Sequence, residues 1–283
     1  MATIGAALAW AAQRLAQAGV ADADREAAWL LAHRLACSVG TLRLRGRDPL
    51  PDADQAGFAA LVARRAAREP IQYILGTEEF MGLTFRVGPA VLIPRADTAV
   101  LVEHAVARLA GRGPVRVADI GTGSGAIAVA VAHLLPEATV VAVDVSAEAL
   151  AVAAENARAN GVADRVAFRR GDLLEPLRGE GRFAAILSNP PYIGADELAG
   201  LMPEVRDWEP RLALSPGADG LAFYRRLVAG APPFLEEGGL LGVEVGMGQA
   251  EPVAALFRRA GFADVRVHKD TAGIDRAVFG CIA

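Results

Sequence analysis

Apolar residues in the first 70 positions recur every three or four residues, the spacing of one face of an α-helix. The first such stretch follows Thr3, whose hydroxyl is suited to capping a helix, and ends at Gly19. Two more extend over about 24–37 and 51–69, and few β-branched residues interrupt them. We therefore predict a small N-terminal bundle of three or four short helices.

The pattern changes character after residue 70. An apolar run at 73–75, a turn at Gly76 and alternating apolar residues over 80–87 predict a β-hairpin that links two domains. From about residue 98, short apolar strands alternate with helical stretches. The predicted strands lie at 115–120, 139–144, 166–169, 183–188, 239–245, 265–268 and 277–281, and the clearest helices between them lie at 125–135 and 147–159.

This alternation predicts an α/β fold, in which a mostly parallel seven-stranded sheet carries helices on both faces. We divide the chain into a helical domain at 1–72, a hairpin linker at 73–93 and an α/β domain at 94–283. Ligands of such sheets bind at the carboxyl ends of the strands, near the point where the strand order reverses. The residues that follow the predicted strands are therefore the first candidates for a functional site.

Composition narrows the class of protein. The chain has 283 residues, 53% hydrophobic and 22% charged, which is typical of a globular protein with a sizeable core. Neither the two cysteines, Cys37 and Cys281, nor the four histidines show the spacing of metal ligands. We predict no metal site and a cytoplasmic location. The first residues lack a signal-peptide pattern, and no apolar run approaches the roughly 20 residues of a membrane helix, so no membrane association is expected.

The distribution of charge argues against a protein that grips nucleic acid. The net charge is −4. Residues 1–72 carry nine Arg and seven acidic residues, a net of +2, and the remainder carries twenty basic and twenty-six acidic residues, a net of −6. Enzymes that hold a duplex show a basic face with interleaved aromatic residues. We expect no direct, stable binding of nucleic acid.

A glycine-rich loop joins the first sheet strand to its helix. Glycines let the backbone turn sharply and approach a ligand, and the helix start offers free N–H groups. The G-x-G-x-G spacing differs from the G-x-G-x-x-G of dinucleotide sites. Asp144 ends the second strand, where a carboxylate can accept both ribose hydroxyls, so a nucleoside without a pyrophosphate fits best; a purely structural turn and a nicotinamide site are the alternatives. The loop reads Asp119-Ile120-Gly121-Thr122-Gly123-Ser124-Gly125.

Another acidic residue follows the third strand, within Gly171-Asp172-Leu173. Asp172 is placed to accept a hydrogen bond from an adenine amino group, and Leu173 to pack on the ring. A plain turn explains this triplet as well, so the interpretation depends on the glycine loop and Asp144 lying nearby.

The tetrad Asn189-Pro190-Pro191-Tyr192 follows the fourth strand and carries the strongest chemical signal. An amide-type nitrogen is a poor nucleophile because its lone pair is delocalised. The Asn189 side-chain oxygen and the Pro190 carbonyl can accept hydrogen bonds from both of its hydrogens. These bonds fix the orientation of the nitrogen and favour development of its lone pair toward a methyl donor. Two prolines stiffen the loop, and Tyr192 offers an aromatic face over the target group. A proline-rich loop without chemical function is the alternative.

Three further segments have two interpretations or a purely structural one. Asp97 and Thr98 precede a predicted helix, either as its cap or as part of a lid over the ligand. The arginines within 64–68 form either a solvated helix face or a docking patch. Residues 270–276 suit a hairpin that contains an ion pair.

Together these motifs resemble the HemK/PrmC family, the protein-(glutamine-N5) methyltransferases that modify class 1 peptide-chain release factors. The resemblance covers nearly the whole chain. The Asn-Pro-Pro-Tyr tetrad is shared with other amino-methyltransferases, whereas the segments at 69–76 and 209–214 are much more family-specific. The resembling segments lie at 25–33, 69–76, 92–95, 121–125, 189–192, 209–214, 219–221 and 270–276.

The resemblance implies an N-terminal domain that recognises the release factor and a Rossmann-like class I methyltransferase domain that uses S-adenosyl-L-methionine. The implied target is the glutamine of a Gly-Gly-Gln tripeptide. Asn189, Pro190 and Tyr192 would be catalytic, and the whole tetrad, with Pro191, would contact the glutamine. With Asp172 added on the chemical argument above, the predicted cofactor contacts are Gly121, Thr122, Gly123, Ser124, Gly125, Asp144, Asp172, Leu173 and Asn189.

Two departures from the family pattern stand near this site. Ala96 and Ala99 occupy positions where the family commonly has proline and glutamate, so any lid contact from a carboxylate at position 99 is lost. A tryptophan is often found where Leu173 stands, so stacking on adenine is expected to be weaker. Neither departure falls within the tetrad.

Two other functions share some of these features. An adenine- or guanine-amino methyltransferase acting on DNA or RNA faces the same chemical problem, and a flipped base also stacks on an aromatic ring; the missing basic face argues against it. A non-catalytic scaffold of the same fold would show a broken tetrad or a filled glycine loop. Asn189 and the open glycines argue against that function.

Overall fold

The computed structural model describes residues 3–215, 217 and 219–283. The chain folds into two compact units. The first contains the residues up to Gly76 and a short later segment, Met202–Trp208; the second contains Thr77–Leu201 and Glu209–Ala283. Within the described residues, every helix is too short or too polar to cross a membrane.

The predicted helices form the N-terminal part of the first unit. Thr3 caps the first of them, because its Oγ1 accepts a hydrogen bond from the Ala6 N–H at 3.2 Å. Leu15, Leu30 and Phe58 are fully buried and form the core of this unit with their apolar neighbours. The helices are α1 (Ile4–Gln17), α2 (Ala23–Arg34), α3 (Val39–Leu44), α4 (Asp52–Ala66) and α5 (Ile71–Leu75).

The hairpin exists, but the prediction that residues 73–75 form its first strand is wrong. These residues belong to α5, whose apolar side chains are buried and which ends at Gly76 in the left-handed conformation. The hairpin consists of β1 (Thr77–Phe80) and β2 (Leu83–Arg86), and it turns at Gly82. A short apolar run fits a buried helical turn as well as a strand, so periodicity alone could not decide here.

The interpretation of Arg65 and Arg68 as a solvated face or docking patch is also wrong. Arg65 is only 5% exposed and donates to the Glu26 carboxylate and, at 2.9 Å, to Glu204 Oε1. Arg68 donates to both oxygens of Glu204 at 2.7 Å. Glu204 lies on helix α9 (Pro203–Arg206), in the later segment that belongs to this unit. Two arginines thus hold a segment that is distant in sequence.

The second unit contains the predicted seven-stranded sheet, and the α/β fold class is confirmed. Its strands lie in the order β5-β4-β3-β6-β7-β9-β8. The pairs from β5 to β7 are parallel, and β9 runs antiparallel to both of its neighbours. The strands are β3 (Arg116–Ile120), β4 (Thr139–Asp144), β5 (Val166–Arg170), β6 (Phe183–Ser188), β7 (Leu235–Glu244), β8 (Ala263–Lys269) and β9 (Asp275–Cys281).

Helices cover both faces of this sheet, and each face has its own apolar core. Successive strand residues point to opposite faces, so Val117 packs in one core and Ala118 in the other. On the first face lie α6 (Ala99–Leu109), α7 (Ala126–Leu134) and α8 (Ala147–Ala159); on the second lie α11 (Ala222–Gly230) and α12 (Ala250–Arg259), and the short α10 (Arg211–Leu214) follows α9 in the chain.

The strand order reverses between β3 and β6. From β3 the chain builds the sheet outward through β4 and β5, and then returns to the other side of β3 with β6. The carboxyl ends of β3 and β6 therefore flank the crevice where open α/β sheets bind their ligands.

Candidate active site

The glycine loop and the Asn-Pro-Pro-Tyr tetrad begin at neighbouring strand ends. Asp119 of β3 lies opposite Leu187 of β6 in the parallel pairing. One residue further along each strand, the Ser188 hydroxyl donates to the Ile120 carbonyl at 2.6 Å. The two motifs are 68 positions apart in sequence at this bond, and the sheet brings them together.

The glycine loop leaves open space where side chains would otherwise stand. Gly121 and Gly123 have φ values of 73° and 55°, and a Cβ added at either would meet no heavy atom within 4 Å in the described structure. Gly125 differs, because a Cβ there would lie 3.1 Å from the Ala153 side chain on α8. The first two glycines thus keep the backbone accessible, and the third permits close packing of two elements.

Asp119 holds the loop through hydrogen bonds and was not predicted from the sequence as a site residue. It is completely buried, and its Oδ2 accepts from the Thr122 hydroxyl at 2.6 Å and the Ala128 N–H at 3.1 Å. Its Oδ1 has no hydrogen-bond partner among the described residues. Burial raises the pKa of Asp119 to about 7, and the two hydrogen bonds only partly offset this effect. An acidic residue at the end of an apolar strand was the available signal.

Asp144 is held against the same loop by two backbone groups. Its Oδ2 accepts from the Gly123 N–H and its Oδ1 from the Ser146 N–H, each at 2.9 Å. Each carboxylate oxygen has a second lone pair available. The carboxylate is thus oriented beside the loop with the capacity to accept two more hydrogen bonds, as a ribose diol requires.

Asp172 and Leu173 follow β5, the strand that pairs with β4, which ends at Asp144. Asp172 is exposed, and its Oδ2 accepts from Arg226 Nη2 at 2.5 Å, a partner on α11 that the sequence analysis did not identify. Leu173 is buried and has a φ of 52°, an unusual conformation for a residue other than glycine. Arg226 orients the Asp172 carboxylate while leaving Oδ1 for another donor.

One cavity of about 430 Å³ in the second unit collects most of the predicted site residues. This volume is within the usual range for a small-molecule site. Gly125, Pro190 and Tyr192 are absent from its lining, so the cavity includes part of each motif. The predicted site residues that do line it are Gly121, Thr122, Gly123, Ser124, Asp144, Asp172, Leu173, Asn189 and Pro191.

The Asn189 carboxamide is anchored by two residues that the sequence analysis did not connect with it. Asn189 Nδ2 donates to Thr98 Oγ1 at 3.1 Å, and the Thr98 hydroxyl donates to Glu244 Oε2 at 2.6 Å. Thr98 therefore does not cap α6 with its side chain. Burial raises the pKa of Glu244 to about 7, against the lowering effect of the Thr98 hydrogen bond. Asn189 Oδ1 is left as the acceptor of this amide.

Tyr192 is partly buried and packs against the core of the second sheet face. Its backbone carbonyl accepts from Gln249 Nε2 at 2.9 Å, and Gln249 Oε1 in turn accepts from the Gly246 N–H at 3.2 Å. A Cβ at Gly246 would lie 2.9 Å from the Tyr192 ring, so only glycine fits there. Burial raises the pKa of the Tyr192 phenol to about 12. The phenol is therefore neutral at physiological pH and offers a ring, not a base.

The segment at 209–214 forms another wall of the cavity. Arg95 Nη2 donates to Glu209 Oε1 at 2.5 Å, and Glu209 is buried. The Ile193 N–H donates to the Leu214 carbonyl at 3.0 Å, which ties this segment to the residue after the tetrad. Burial raises the pKa of Glu209, and Arg95 acts in the opposite direction.

The tail supplies the ion pair predicted for residues 270–276. Arg276 Nε donates to Asp270 Oδ2 at 2.8 Å, and Arg276 Nη2 lies 2.9 Å from Asp97 Oδ2. Asp97 therefore forms an ion pair with a residue of β9. Nowhere in the described part of the chain do three or more His, Cys, Asp or Glu side chains gather as metal ligands.

Comparisons with known proteins identify relatives for both parts of the chain. The family described as the PrmC N-terminal domain matches residues 6–76, and the one described as the Methyltransferase small domain matches residues 96–200. A release factor glutamine methyltransferase from Geobacter sulfurreducens is 50% identical over 280 residues, covering 99% of this chain and 97% of that protein. The chain belongs to the HemK/PrmC family of methyltransferases. A second relative in the family, the release factor glutamine methyltransferase of Cereibacter sphaeroides, is 48% identical and covers 96% of each chain.

Solved structures confirm the Rossmann-like methyltransferase fold. The hMettl16 catalytic domain, solved in complex with MAT2A 3'UTR hairpin 6, superposes with a TM-score of 0.59 at 19% identity, covering 79% of this chain and 82% of that one. A second structure, of the delta-N METTL16 MTase domain, gives a TM-score of 0.53 at 18% identity over 71% of this chain and 90% of that one. At these identities the likeness concerns the fold alone.

S-adenosyl-L-methionine is the cofactor of this enzyme, and the cavity fits it. When bound, it supplies an electrophilic methyl group. The fit rests on the open backbone at Gly121 and Gly123 and on the paired acceptor oxygens of Asp144 beside them. The cavity that these residues line also contains Asn189, so one space can hold a nucleoside and present it to the tetrad.

Proposed function

We propose that this enzyme transfers the methyl group of S-adenosyl-L-methionine to the side-chain amide nitrogen of the glutamine in the Gly-Gly-Gln motif of class 1 peptide-chain release factors. One observation carries the proposal. The Asn189 carboxamide lines the same cavity as the Asp144 carboxylate, and its Nδ2 is engaged by Thr98. Its Oδ1 is thus the atom that remains for a substrate N–H.

The chemistry required of the protein is orientation of a weak nucleophile. The target nitrogen has two hydrogens and a delocalised lone pair. In the proposed complex, Asn189 Oδ1 accepts one hydrogen and the Pro190 carbonyl accepts the other, so the lone pair faces the cavity. Positioning of this kind can lower a barrier by about 7–11 kcal/mol, and no strong base is needed. The neutral Tyr192 ring covers the target and stabilises the positive charge that reaches the nitrogen.

The cofactor contacts predicted from sequence become part of this proposal. We assign the ribose hydroxyls to Asp144 and the adenine amino group to Asp172, with Leu173 against the ring. The open glycines at 121 and 123 supply the backbone surface along which the rest of the cofactor lies, and Gly125 acts by close packing against α8. Leu173 is buried and lines the cavity, which supports its role as an apolar platform.

The helical domain predicted at 1–72 is proposed to recognise the release factor. The match of residues 6–76 to the PrmC N-terminal domain supports this assignment. Large apolar side chains are exposed on this domain, among them Trp10 at 46%, Trp29 at 37% and Leu44 at 91%, and exposed apolar residues of this kind are suited to protein contacts. We propose that the reaction occurs in the cytoplasm and involves no stable contact with nucleic acid.

The experiment that tests the proposal offers the enzyme several substrates together with radiolabelled S-adenosyl-L-methionine. They are an unmodified class 1 release factor, the same factor with alanine in place of the Gly-Gly-Gln glutamine, bulk tRNA and duplex DNA. We expect label in the unmodified factor only, mapped by peptide mass analysis to the glutamine side chain. Label confined to a nucleic acid, or equal label in both release factors, would reject the proposed substrate.

A further inference from the structure

Three residues from different parts of the chain form a hydrogen-bonded series that ends at the reacting tetrad. Glu244 is the last residue of β7, Thr98 ends the turn before α6, and Asn189 follows β6. Thr98 and Glu244 are 4% and 2% exposed. The distances are 2.6 Å between Thr98 Oγ1 and Glu244 Oε2, and 3.1 Å between Asn189 Nδ2 and Thr98 Oγ1.

The direction of these hydrogen bonds follows from the chemistry of the groups. An ionised carboxylate only accepts hydrogen bonds, and a hydroxyl has a single hydrogen to donate. When Glu244 is ionised, Thr98 must donate to it, so Thr98 can only accept from Asn189. The Asn189 atom that faces Thr98 must then be Nδ2, and Oδ1 must face the other way. The charge of Glu244 thus determines which end of the amide is available to a substrate.

A neutral Glu244 removes that constraint. Its carboxyl group can then donate to Thr98, which frees the Thr98 hydrogen for Asn189. The Thr98 hydroxyl can then donate to Asn189 Oδ1, which allows the reversed orientation of the amide, with its NH2 toward the substrate. A substrate NH2 would then meet a donor in place of an acceptor.

Several charged and titratable groups act on Glu244. Burial disfavours its ionised form most strongly, and the Asp97 carboxylate adds to this effect. The hydrogen bonds from Thr98 and Asn189 and the positive charge of Arg276 on β9 favour the ionised form. The phenols of Tyr192 and Tyr224 lie close enough to be affected by its charge, and Tyr224 donates to the Glu244 backbone carbonyl at 2.9 Å. The net effect is a pKa of about 7 for Glu244, so both forms of the series are accessible near neutral pH.

We propose that Thr98 and Glu244 are positioning residues, which hold Asn189 with its Oδ1 toward the target amide only while Glu244 is ionised. The inference rests on the proposed function, because it concerns the acceptor for a primary amide. Neither residue needs to touch the substrate. Their effect is expected in kcat, since the orientation of a bound amide, rather than the binding of cofactor, is what they control.

The pH dependence of kcat follows from the charge of Glu244. As the pH falls through about 7, Glu244 takes up a proton and the series loses its fixed direction. We therefore expect kcat of the wild type to decrease on the acid side of neutrality. In the Glu244→Gln variant no proton can be taken up at this position, so that decrease is expected to disappear, with a lower and flatter kcat.

The experiment compares wild type, Thr98→Ser, Thr98→Val and Glu244→Gln in methylation of the release factor, with both substrates saturating, across the pH range around neutrality. Serine keeps the hydroxyl, so kcat is expected within about threefold of wild type. Valine removes it and is expected to lower kcat by about tenfold or more at neutral pH. Thr139→Val, an exposed change at the far end of β4, is the control and should behave as wild type.

Cofactor affinity, measured by calorimetry, is expected to stay within about threefold in all variants, and thermal unfolding verifies their folding. Equal kcat for Thr98→Ser and Thr98→Val would overturn the inference. So would an acid-side decrease that Glu244→Gln retains, because it would then belong to another group such as Asp119, whose pKa is also about 7. If the wild type labels no release factor, the proposed function itself fails, which the first measurement reveals separately.

Discussion

The backbone N–H of Gly123 donates to the Asp144 carboxylate at 2.9 Å, which joins the glycine loop to the end of the neighbouring strand. This bond orients a charged side chain with a backbone group that every residue except proline supplies, provided that position 123 keeps its conformation. The loop therefore has two tasks. It leaves space for a ligand, and it fixes the acceptor that the ligand's ribose is proposed to use.

Removing the charge at position 144 tests that acceptor. Asp144→Asn keeps the shape but replaces one oxygen by a donor, so a ribose diol loses one of its two acceptors. We expect the dissociation constant for S-adenosyl-L-methionine to rise about 10- to 100-fold, as for the loss of one charge-assisted hydrogen bond. Calorimetric titration measures it. An unchanged affinity would show that the ribose binds elsewhere.

Gly123 in the glycine loop and Gly113 outside it offer a matched pair of substitutions. Gly123 and Gly113 both have positive φ, 55° and 74°, and a Cβ at either meets no described heavy atom within 4 Å. Alanine should destabilise the fold by about 1–2 kcal/mol at each position. Only Gly123 lines the cavity. We expect Gly123→Ala to weaken cofactor binding at least tenfold, or by about 1.4 kcal/mol, and Gly113→Ala to leave it unchanged. Similar losses in both variants would argue for a purely conformational effect.

Asn189→Ala tests the proposed acceptor directly. The lost oxygen acts mainly in the transition state, so kcat is expected to fall about 100- to 1,000-fold, by analogy with the removal of one group from a preorganised site. Cofactor binding should remain within a few-fold. Single-turnover kinetics with a pre-formed cofactor complex separates the two effects. A variant with wild-type turnover would remove the tetrad from the reaction.

Asp119 predicts a pH dependence of stability. Its pKa is raised from 3.8 to about 7 in the folded protein because it is buried. The folded protein therefore accommodates this carboxyl group best in its neutral form. The contribution of the protonated group to the free energy of unfolding is complete below about pH 4 and is lost as the pH rises through about 7. Since Asp119→Asn stays neutral, we expect it to gain up to about 4 kcal/mol in unfolding free energy relative to wild type between those limits. Urea unfolding at both pH values measures this; a gain independent of pH would contradict the assignment.

Arg65 and Arg68 of the first unit form buried or half-buried ion pairs with Glu204. We expect the loss of these pairs to lower the free energy of unfolding more than the loss of an exposed pair does. Glu204→Ala leaves Arg65 buried without one of its partners, so the free energy of unfolding is expected to fall by about 1–3 kcal/mol. Glu251→Ala, which breaks an exposed pair with Arg258, serves as the control and should show no measurable change. Chemical denaturation followed by circular dichroism compares them. Equal effects would mean that burial of the cluster contributes nothing.

Whether a contact in the site could be predicted from the sequence depends on how far apart its two residues lie along the chain. Asp144 ends one apolar strand and Asn189 follows another, and parallel strands bring their carboxyl ends to one edge of the sheet, so their proximity was predictable. The bond from Thr98 to Glu244 joins residues 146 positions apart, and no local pattern relates a residue before a helix to the end of a late strand. Arg226, the partner of Asp172 across 54 positions, was missed for the same reason.

Local ambiguity accounts for the remaining errors. Residues 73–75 are three consecutive apolar residues, a run too short for its period to distinguish a strand from a helical turn. Arg65 was taken as exposed because arginine on a helix usually is, and Glu204, which holds it, comes 139 positions later. Both errors fall where a tertiary partner decides the outcome.

The segment Met202–Trp208 has a consequence for anyone who divides this protein. The polypeptide passes between its two units three times, after Gly76, after Leu201 and after Trp208. A single cut therefore cannot release either unit intact. A fragment starting at Thr77 would retain Glu204 without Arg65 and Arg68, and a fragment ending at Gly76 would retain those two arginines without Glu204. Truncation would thus expose unmatched charges on both pieces, and separate expression is a poor way to assign their roles.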